Sequence, residues 1–299
     1  YQNMNHIVKR IGILTGVFAA ALCVFFLANN RWNSGQDQAV YMDMEAASLP
    51  SITVQMLGRD MNRLYGYRQE MNTTAAGENL TILPEDRALT VDITGGGVTG
   101  ISYEVRSMDR ARLVERTEVS DWQQTQQGIA ATLPIQNLLT KEREYQLIIQ
   151  LDTENYGSVY YYTRILWTDS AQHARDMVDL AADFSIKTFD YEQAKSLTTY
   201  LETSPSEDNS TFGHTSIHSS FSQLTWGKMN MQPEGNVEIR LKELDGVMCG
   251  VQLSYQAKRQ GEGGTEIYEV EEDFTMKWNE QRIYLMNYER NANEIFEGS

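Results

Sequence analysis

The sequence predicts a mainly β protein with some α: an N-terminal transmembrane helix, an antiparallel β-sandwich, and then an α+β domain of two helices and a long antiparallel sheet. Residues 11–28 are uncharged, residues 50–169 alternate apolar and polar side chains, and residues 170–204 adopt a helical period before long alternating segments return. The predicted boundaries are a cytoplasmic N-terminus (1–10), an anchor (11–29), a stalk (30–49), the sandwich (50–169) and the helix-plus-sheet domain (170–299).

The uncharged run, IGILTGVFAAALCVFFLA, indicates a membrane-spanning helix. Eighteen helical residues cover about 27 Å, roughly the thickness of the hydrocarbon core of a bilayer. Lys9 and Arg10 precede the run, and no acidic residue occurs before Asp37. Because positive charge is retained in the cytoplasm, we expect the N-terminus inside the cell and the chain after about residue 30 outside it.

Two other membrane signals are disfavoured by the end of the run. A cleaved signal has an apolar region of about 7–15 residues and small side chains three and one positions before the cut, whereas Phe26 stands three positions before the site after Ala28. A lipoprotein signal needs a small residue before its cysteine, but Leu22 precedes Cys23. The sequence therefore favours an uncleaved anchor.

Composition limits the partners of the 269 residues after residue 30. They carry all 41 acidic residues and 23 of the 25 lysines and arginines, a net charge of −18. Such a charge repels nucleic acid and anionic lipid, so we expect no nucleic-acid partner. Cys249 is the only cysteine in this segment, which excludes an intramolecular disulfide there and favours a bacterial envelope over a disulfide-rich secreted protein.

Alternating segments predict the strands of the sandwich, and the clearest are residues 88–93, 101–106, 112–119, 145–151 and 158–167. Leu139 precedes Tyr145 by six positions in LLTKEREYQLIIQL, and Tyr145 then begins an alternating strand. This spacing resembles the fibronectin type III pattern, in which a leucine, a tight turn and a tyrosine form a corner. The resemblance covers about residues 51–168 and implies an immunoglobulin-like sandwich whose Tyr145 hydroxyl bonds to backbone a few residues upstream.

Two helices and a second sheet are predicted after residue 170. Met177, Leu180, Ala181 and Phe184 form an apolar stripe at helical spacing, and a second helix is predicted over residues 191–202. Long strands are then predicted at residues 221–229, 236–244, 246–257, 266–278 and 281–289. In the order of its elements, this part resembles the nuclear transport factor 2-like fold.

Several motifs associated with ligand binding lie in unfavourable surroundings. Residues 95–100 (GGGVTG) match G-x-G-x-x-G, but a strand is predicted after them where a dinucleotide site needs a helix. His214 and His218 lie in a serine-rich segment without a third ligand, so we expect neither a metal nor another cofactor. We expect a hairpin turn around Asp152 and Glu154. A row of acidic residues on one strand is expected to face solvent: Glu269, Glu271 and Asp273.

Glu272 interrupts the apolar face of that same strand. A buried carboxyl group needs a partner or a raised pKa. Arg282, just beyond the following turn, is the expected partner in a structural ion pair. The alternative is that Glu272 lies in a cleft and acts on glycans.

An aromatic patch is predicted on the strand at residues 158–167. If Tyr161 is in the core, strand alternation directs Tyr160 and Tyr162 outward beside Arg164. Aromatic side chains of this kind suit a sugar ring or a protein partner. Ordinary β-propensity of tyrosine is the simpler explanation.

These features favour a non-catalytic, membrane-anchored binding or scaffold protein of the bacterial envelope, with a protein or wall polysaccharide as its partner. The absence of a recognisable triad or metal motif in the sequence supports this interpretation. The alternative is an enzyme, or an enzyme accessory, that acts on envelope glycans, either through Glu272 or through a catalytic domain beyond Ser299.

Overall fold

A computed structural model of the chain describes residues 49–71, 77–137, 139–202, 211–261 and 264–295. The fold is mainly β, with about 55 % of the described residues in strands and 13 % in helices, which confirms the predicted class at this level. The segments predicted as cytoplasmic N-terminus and anchor, and almost all of the predicted stalk, lie outside the described residues. Within the described ranges, no helix is long and apolar enough to cross a bilayer.

Two five-stranded sheets face each other in the first part of the fold. The buried hydroxyl groups of Tyr103 and Tyr161 in the second sheet donate to the carbonyl groups of Pro134 and Pro50 at the ends of the first, at 2.9 and 2.6 Å. In spatial order, the first sheet comprises β2 (Arg59–Leu64), β1 (Ser51–Met56), β4 (Ala88–Thr94), β8 (Ile129–Pro134) and β7 (Trp122–Gln124), and the second comprises β3 (Leu80–Ile82), β10 (Gly157–Leu166), β9 (Glu144–Thr153), β5 (Val98–Arg106) and β6 (Leu113–Glu118).

Strand pairing in these sheets is antiparallel except between β3 and β10. The alternation read from the sequence decides which side chains are buried, since Ile101, Tyr103 and Val105 of β5 all face the core. A one-residue shift of register would bury charged Glu104 instead. The result is a β-sandwich-like arrangement with a continuous apolar interior.

The corner expected around Tyr145 is present. The Thr140 backbone N–H donates to the Tyr145 hydroxyl at 3.1 Å, five residues upstream of the tyrosine. Leu139 and Tyr145 are both largely buried, with 8 % and 6 % of their surface exposed. This contact fixes the entry of the chain into β9.

Helix α1 (Ala171–Lys187) follows the sandwich and buries the predicted stripe, including Met177, Ala181 and Phe184. The second predicted helix is shorter than expected: α2 (Tyr191–Ala194) continues as a 3₁₀ segment, Lys195–Tyr200. Hydroxyl groups in this segment bond to carbonyl groups three residues earlier, as Thr198 does with Lys195. Such bonds compete with the α-helical ladder.

A third sheet closes the fold. The strand predicted at residues 221–229 is wrong, because Ser220 caps a short helix, α3 (Phe221–Leu224), by accepting a bond from Gln223 N–H. The other predicted long strands are present. In spatial order the sheet comprises β11 (His214–Ser216), β15 (Ile283–Ile295), β14 (Gly264–Trp278), β13 (Met248–Gly261) and β12 (Gln232–Asp245).

A buried asparagine joins β2 of the sandwich to β12 of the third sheet. Asn62 has a positive φ of 50° and no exposed surface. Its Nδ2 donates to the Leu80 carbonyl at 2.8 Å, and its Oδ1 accepts from Leu241 N–H at 2.9 Å. Ser48–Ser299 forms one compact unit, so the domain boundary near residue 169 stays a prediction.

Candidate functional site

The candidate site is an open cleft of about 440 Å³ between α1 and the edge of the third sheet, which we call the helix-sheet cleft. Its volume lies in the range of small-molecule and peptide side-chain sites. Its walls come from the C-terminal half of α1, from β12 and β13, and from the β1–β2 hairpin. The lining residues are Arg59, Asp60, Ala182, Ser185, Ile186, Phe189, Pro233, Val237, Ile239, Leu253 and Tyr255.

Two aliphatic side chains on opposite walls of the cleft are exposed to solvent. Ile186 on α1 retains 53 % of its surface exposed, and Val237 on β12 retains 43 %. Below them, Ile239 and Leu253 are buried in the floor. Exposed apolar surface that continues into a concave floor marks an interaction site more often than isolated exposed side chains do.

Arg59 and Asp60, at the start of β2 just after the turn of the β1–β2 hairpin, line the cleft at its exposed side, which we call its mouth. Leu57 and Gly58 both adopt positive φ angles, 53° and 78°, which makes the tight reversal between the strands. Arg59 then forms an ion pair with Asp179 of α1 at 2.7 Å. The neighbouring Asp60 is exposed, and its carboxylate has neither an ion pair nor a hydrogen bond with any residue that the structure describes.

Tyr255 lies at the inner end of the cleft with 5 % of its surface exposed. Its buried hydroxyl has no hydrogen-bond partner among the described side chains and backbone groups. Burial raises the pKa of Tyr255 well above its usual value, so the hydroxyl stays protonated. The hydroxyl has no exposed surface, and the neighbouring groups that act on its pKa, Glu272, Arg290 and Ser185, place it in the buried cluster behind the cleft.

Glu272 lies behind Tyr255 and is fully buried. The Tyr288 hydroxyl donates to its Oε1 at 2.7 Å, while Oε2 has no hydrogen-bond partner within the described structure. Burial is the largest effect on this carboxyl and raises its pKa, and the charge of Arg290 opposes that effect. Glu272 is therefore buried on the apolar face of β14, as its position in the sequence indicated, while its role stays a prediction.

The partner predicted for Glu272 is wrong. Arg282 is exposed and lies over the Tyr284 ring, 4.0 Å from its centroid. The β14–β15 register instead pairs Glu272 with Arg290 across the sheet. Arg282 lies just before the start of β15, whereas Arg290, eight residues later, lies opposite Glu272. At a rise of about 3.3 Å per residue, the extended strand keeps Arg282 far from Glu272.

Arg290 is fully buried and holds α3 against the sheet. Its guanidinium donates to the carbonyl groups of Gln223 and Leu224, both at 2.9 Å, and to the Thr215 hydroxyl at 3.1 Å. It also lies 3.5 Å from the centroid of the Trp226 ring, within the range of a cation–π contact. No sequence motif indicated this role, since Arg290 is separated from these partners by more than sixty residues.

The predicted outward tyrosine pair is not present. Tyr162 is buried, with 5 % of its surface exposed, and the Met71 backbone N–H donates to its hydroxyl at 2.6 Å. Tyr67 packs edge-on against the Tyr162 ring and forms a backbone bridge with Tyr160. The prediction of an exposed Tyr162 is wrong because the segment containing Tyr67 and Met71 covers this face of the sheet. Tyr160 keeps intermediate exposure.

Arg164 is largely occupied by intramolecular contacts. It donates to both Glu144 carboxylate oxygens, at 3.1 and 2.9 Å, and to the Gly77 carbonyl at 2.7 Å. It also donates to the Lys242 carbonyl of β12. Arg164 therefore bridges the sandwich and the third sheet, and its role in binding stays a prediction.

The remaining motifs have local structural explanations. GGGVTG spans the turn between β4 and β5 and the start of β5. His214 on β11 bonds to Asn291, and no group of three or more acidic, histidine or cysteine side chains among the described residues is arranged to hold a metal. Glu269 and Glu271 are exposed, as expected for a solvated face, and Asp273 contacts Lys242 at 3.2 Å.

Comparisons with known proteins add no assignment: no model of a known protein family and no curated protein matches this sequence. The helix-sheet cleft was not predicted from the sequence. The one available signal was Ile186, an aliphatic residue placed outside the apolar stripe of α1.

Proposed function

We propose that this chain is a single-pass, membrane-anchored protein of the bacterial envelope, whose outward-facing part binds a protein partner through the helix-sheet cleft and does not catalyse a reaction. The observation that carries the proposal is the continuous apolar surface from exposed Ile186 and Val237 to the buried floor of the cleft. Burying such surface contributes about 25 cal/mol per Å². In this proposal the anchor at residues 11–29 places the N-terminus in the cytoplasm and the cleft outside.

The proposal includes a fibronectin type III-like sandwich at about residues 51–168. The Tyr145 corner supports it, and so does the placement of β1, β4 and β8 in one sheet and of β5, β6, β9 and β10 in the other. The proposal also includes a nuclear transport factor 2-like domain beyond it. A helix packed on a long antiparallel sheet, with a cleft between them, supports that assignment.

A protein partner is favoured over a wall polysaccharide. The aromatic platform expected to receive a sugar ring is covered at Tyr162, whereas the cleft offers mainly aliphatic side chains. Glu272 is completely buried, so none of its atoms is exposed to a glycan ring. This supports a structural role for its carboxyl group.

Crosslinking in the native cell, followed by membrane purification and mass spectrometry, tests the binding proposal. We expect Ile186→Glu to abolish recovery of the partner, because it introduces a charge on the apolar wall. Met286→Glu is the matched control, since Met286 is equally exposed at 53 % but lies outside the cleft. Equal recovery with the wild type and both variants would contradict the proposal.

The enzyme alternative is tested separately with Glu272→Gln. We expect the variant to turn over wall fragments no differently from the wild type, with any effect confined to stability. A collapse of measurable wild-type turnover in a folded variant would favour the enzyme.

A further inference from the structure

We infer that the helix-sheet cleft selects a peptide segment in which apolar side chains are followed by lysine or arginine, and that Asp60 contacts the cationic group. This inference rests on the proposed binding role of the cleft. Its basis is the combination of an apolar floor with a single uncompensated charge among the lining side chains.

The two charged residues that line the cleft differ in their availability. Arg59 is held by Asp179, with its Nε 2.8 Å and its Nη2 2.7 Å from Oδ1. Asp60 has no ion pair or hydrogen bond with the described residues and is exposed at the mouth. The cleft therefore presents a net negative charge to an incoming group.

The other acidic residues near the cleft are compensated locally. Glu238 of β12 pairs with Arg63 at 2.8 Å, and Asp183 of α1 pairs with Lys187. Asp60 thus differs from its neighbours in lacking a cation. The net charge of −18 on the chain after residue 30 adds attraction over longer range for a basic partner.

The depth of the cleft favours an apolar anchor beside the cation. Phe189 on one wall and the buried floor of Ile239 and Leu253 supply the apolar contacts for such an anchor. A side chain inserted between the walls leaves the backbone near the hairpin tip, where a following lysine meets Asp60. Arg175 does not line the cleft; it lines an adjoining cavity of about 770 Å³, which Arg59 and Asp60 also line.

The test uses the full 299-residue chain labelled with ¹³C on its isoleucine δ1 methyl groups. The probes are the peptides acetyl-Leu-Phe-Lys-amide and acetyl-Leu-Phe-Glu-amide, titrated at low ionic strength. Ile186 and Ile239 report occupancy of the cleft, and Ile186→Val and Ile239→Val assign their methyl signals. Asp60→Asn removes the charge at the mouth, and Asp121→Asn is the control for an exposed aspartate of the sandwich.

We expect the lysine peptide to shift both methyl signals and to bind roughly 3- to 5-fold more tightly than the glutamate peptide, the size of one favourable exposed ion pair. Asp60→Asn should remove this preference, Asp121→Asn should retain it, and 0.5 M salt should weaken it. Equal binding of both peptides, or tighter binding of the glutamate peptide, overturns the inference about the cation while the cleft remains a binding site. If neither peptide shifts the two methyl signals, both the inference and the proposed use of the cleft fail.

Discussion

Replacing Arg290 with methionine should destabilise the protein strongly. Its guanidinium donates three hydrogen bonds from a fully buried position, to Gln223, Leu224 and Thr215. Methionine fills similar space but leaves these acceptors without their donor, and each buried unsatisfied group costs about 1–3 kcal/mol. We expect the free energy of unfolding to fall by about 3–5 kcal/mol, the range for removing one partner from a buried charged cluster.

Part of that loss should be coupled to Glu272. The two residues are opposite each other across β14 and β15, and the charge of Arg290 lowers the carboxyl pKa against the effect of burial. Among the described residues, Glu272 Oε1 accepts a hydrogen bond from Tyr288 and Oε2 has no hydrogen-bond partner, so the coupling to Arg290 acts through space rather than through direct contact. A double-mutant cycle with Glu272→Gln should give an interaction energy of about 1–3 kcal/mol.

Urea denaturation followed by far-ultraviolet circular dichroism measures both quantities. Arg282→Met is the matched control, because Arg282 is exposed and its main contact is with the Tyr284 ring. It should change the free energy of unfolding by no more than about 0.5 kcal/mol. The reasoning is refuted if Arg290→Met and Arg282→Met have equal effects, or if the Glu272 and Arg290 effects add without coupling.

Three further predictions concern buried polar groups. Burial raises the pKa of Glu272 above its ordinary value of 4.5. The stability that the neutral carboxyl group contributes is therefore complete below pH 4.5 and is lost as the pH rises through the pKa of the folded state. The urea midpoint should fall less steeply above pH 4.5 in Glu272→Gln than in the wild type. Burial, aided by Glu243, raises the pKa of Cys249 to about 12, so in a Cys23→Ser background 5,5′-dithiobis(2-nitrobenzoate) should label Cys249 only after unfolding, and fast native labelling at pH 8 would contradict this. Asn62→Ala should lower the free energy of unfolding by about 2–4 kcal/mol and speed amide exchange at Leu241, whereas unchanged exchange would exclude the bridging role.

The sandwich strands could be predicted because their signal is local. Side chains two positions apart share a face of a strand, so the core residues of β5 follow from the sequence of β5 alone. The Tyr145 corner is also local, with five residues between the donor and the acceptor. The amphipathic stripe of α1 is a third case of the same kind.

The errors arose where distant segments decide the outcome. Strand alternation predicts that Tyr162 is exposed, but a segment about ninety residues earlier in the chain covers it. Residues 221–229 have strand-like composition, yet the cap by Ser220 and the contacts of Arg290 favour a short helix. Arg282, just beyond the turn after β14, was the cation expected beside Glu272, whereas strand register makes Arg290 its cross-strand neighbour.

The sequence by itself determined the mainly β class, the faces of the strands and α1, and the burial of Glu272, because side-chain periodicity and turn residues act over a few positions. The tertiary structure decided the cation opposite Glu272, the cover over Tyr162 and the existence of the helix-sheet cleft. Each of these depends on packing between elements far apart in the chain, as when Asp60 of the hairpin meets α1 and β12 at one mouth. Local patterns specify which surface of an element is apolar, and only packing specifies which of those surfaces remain open.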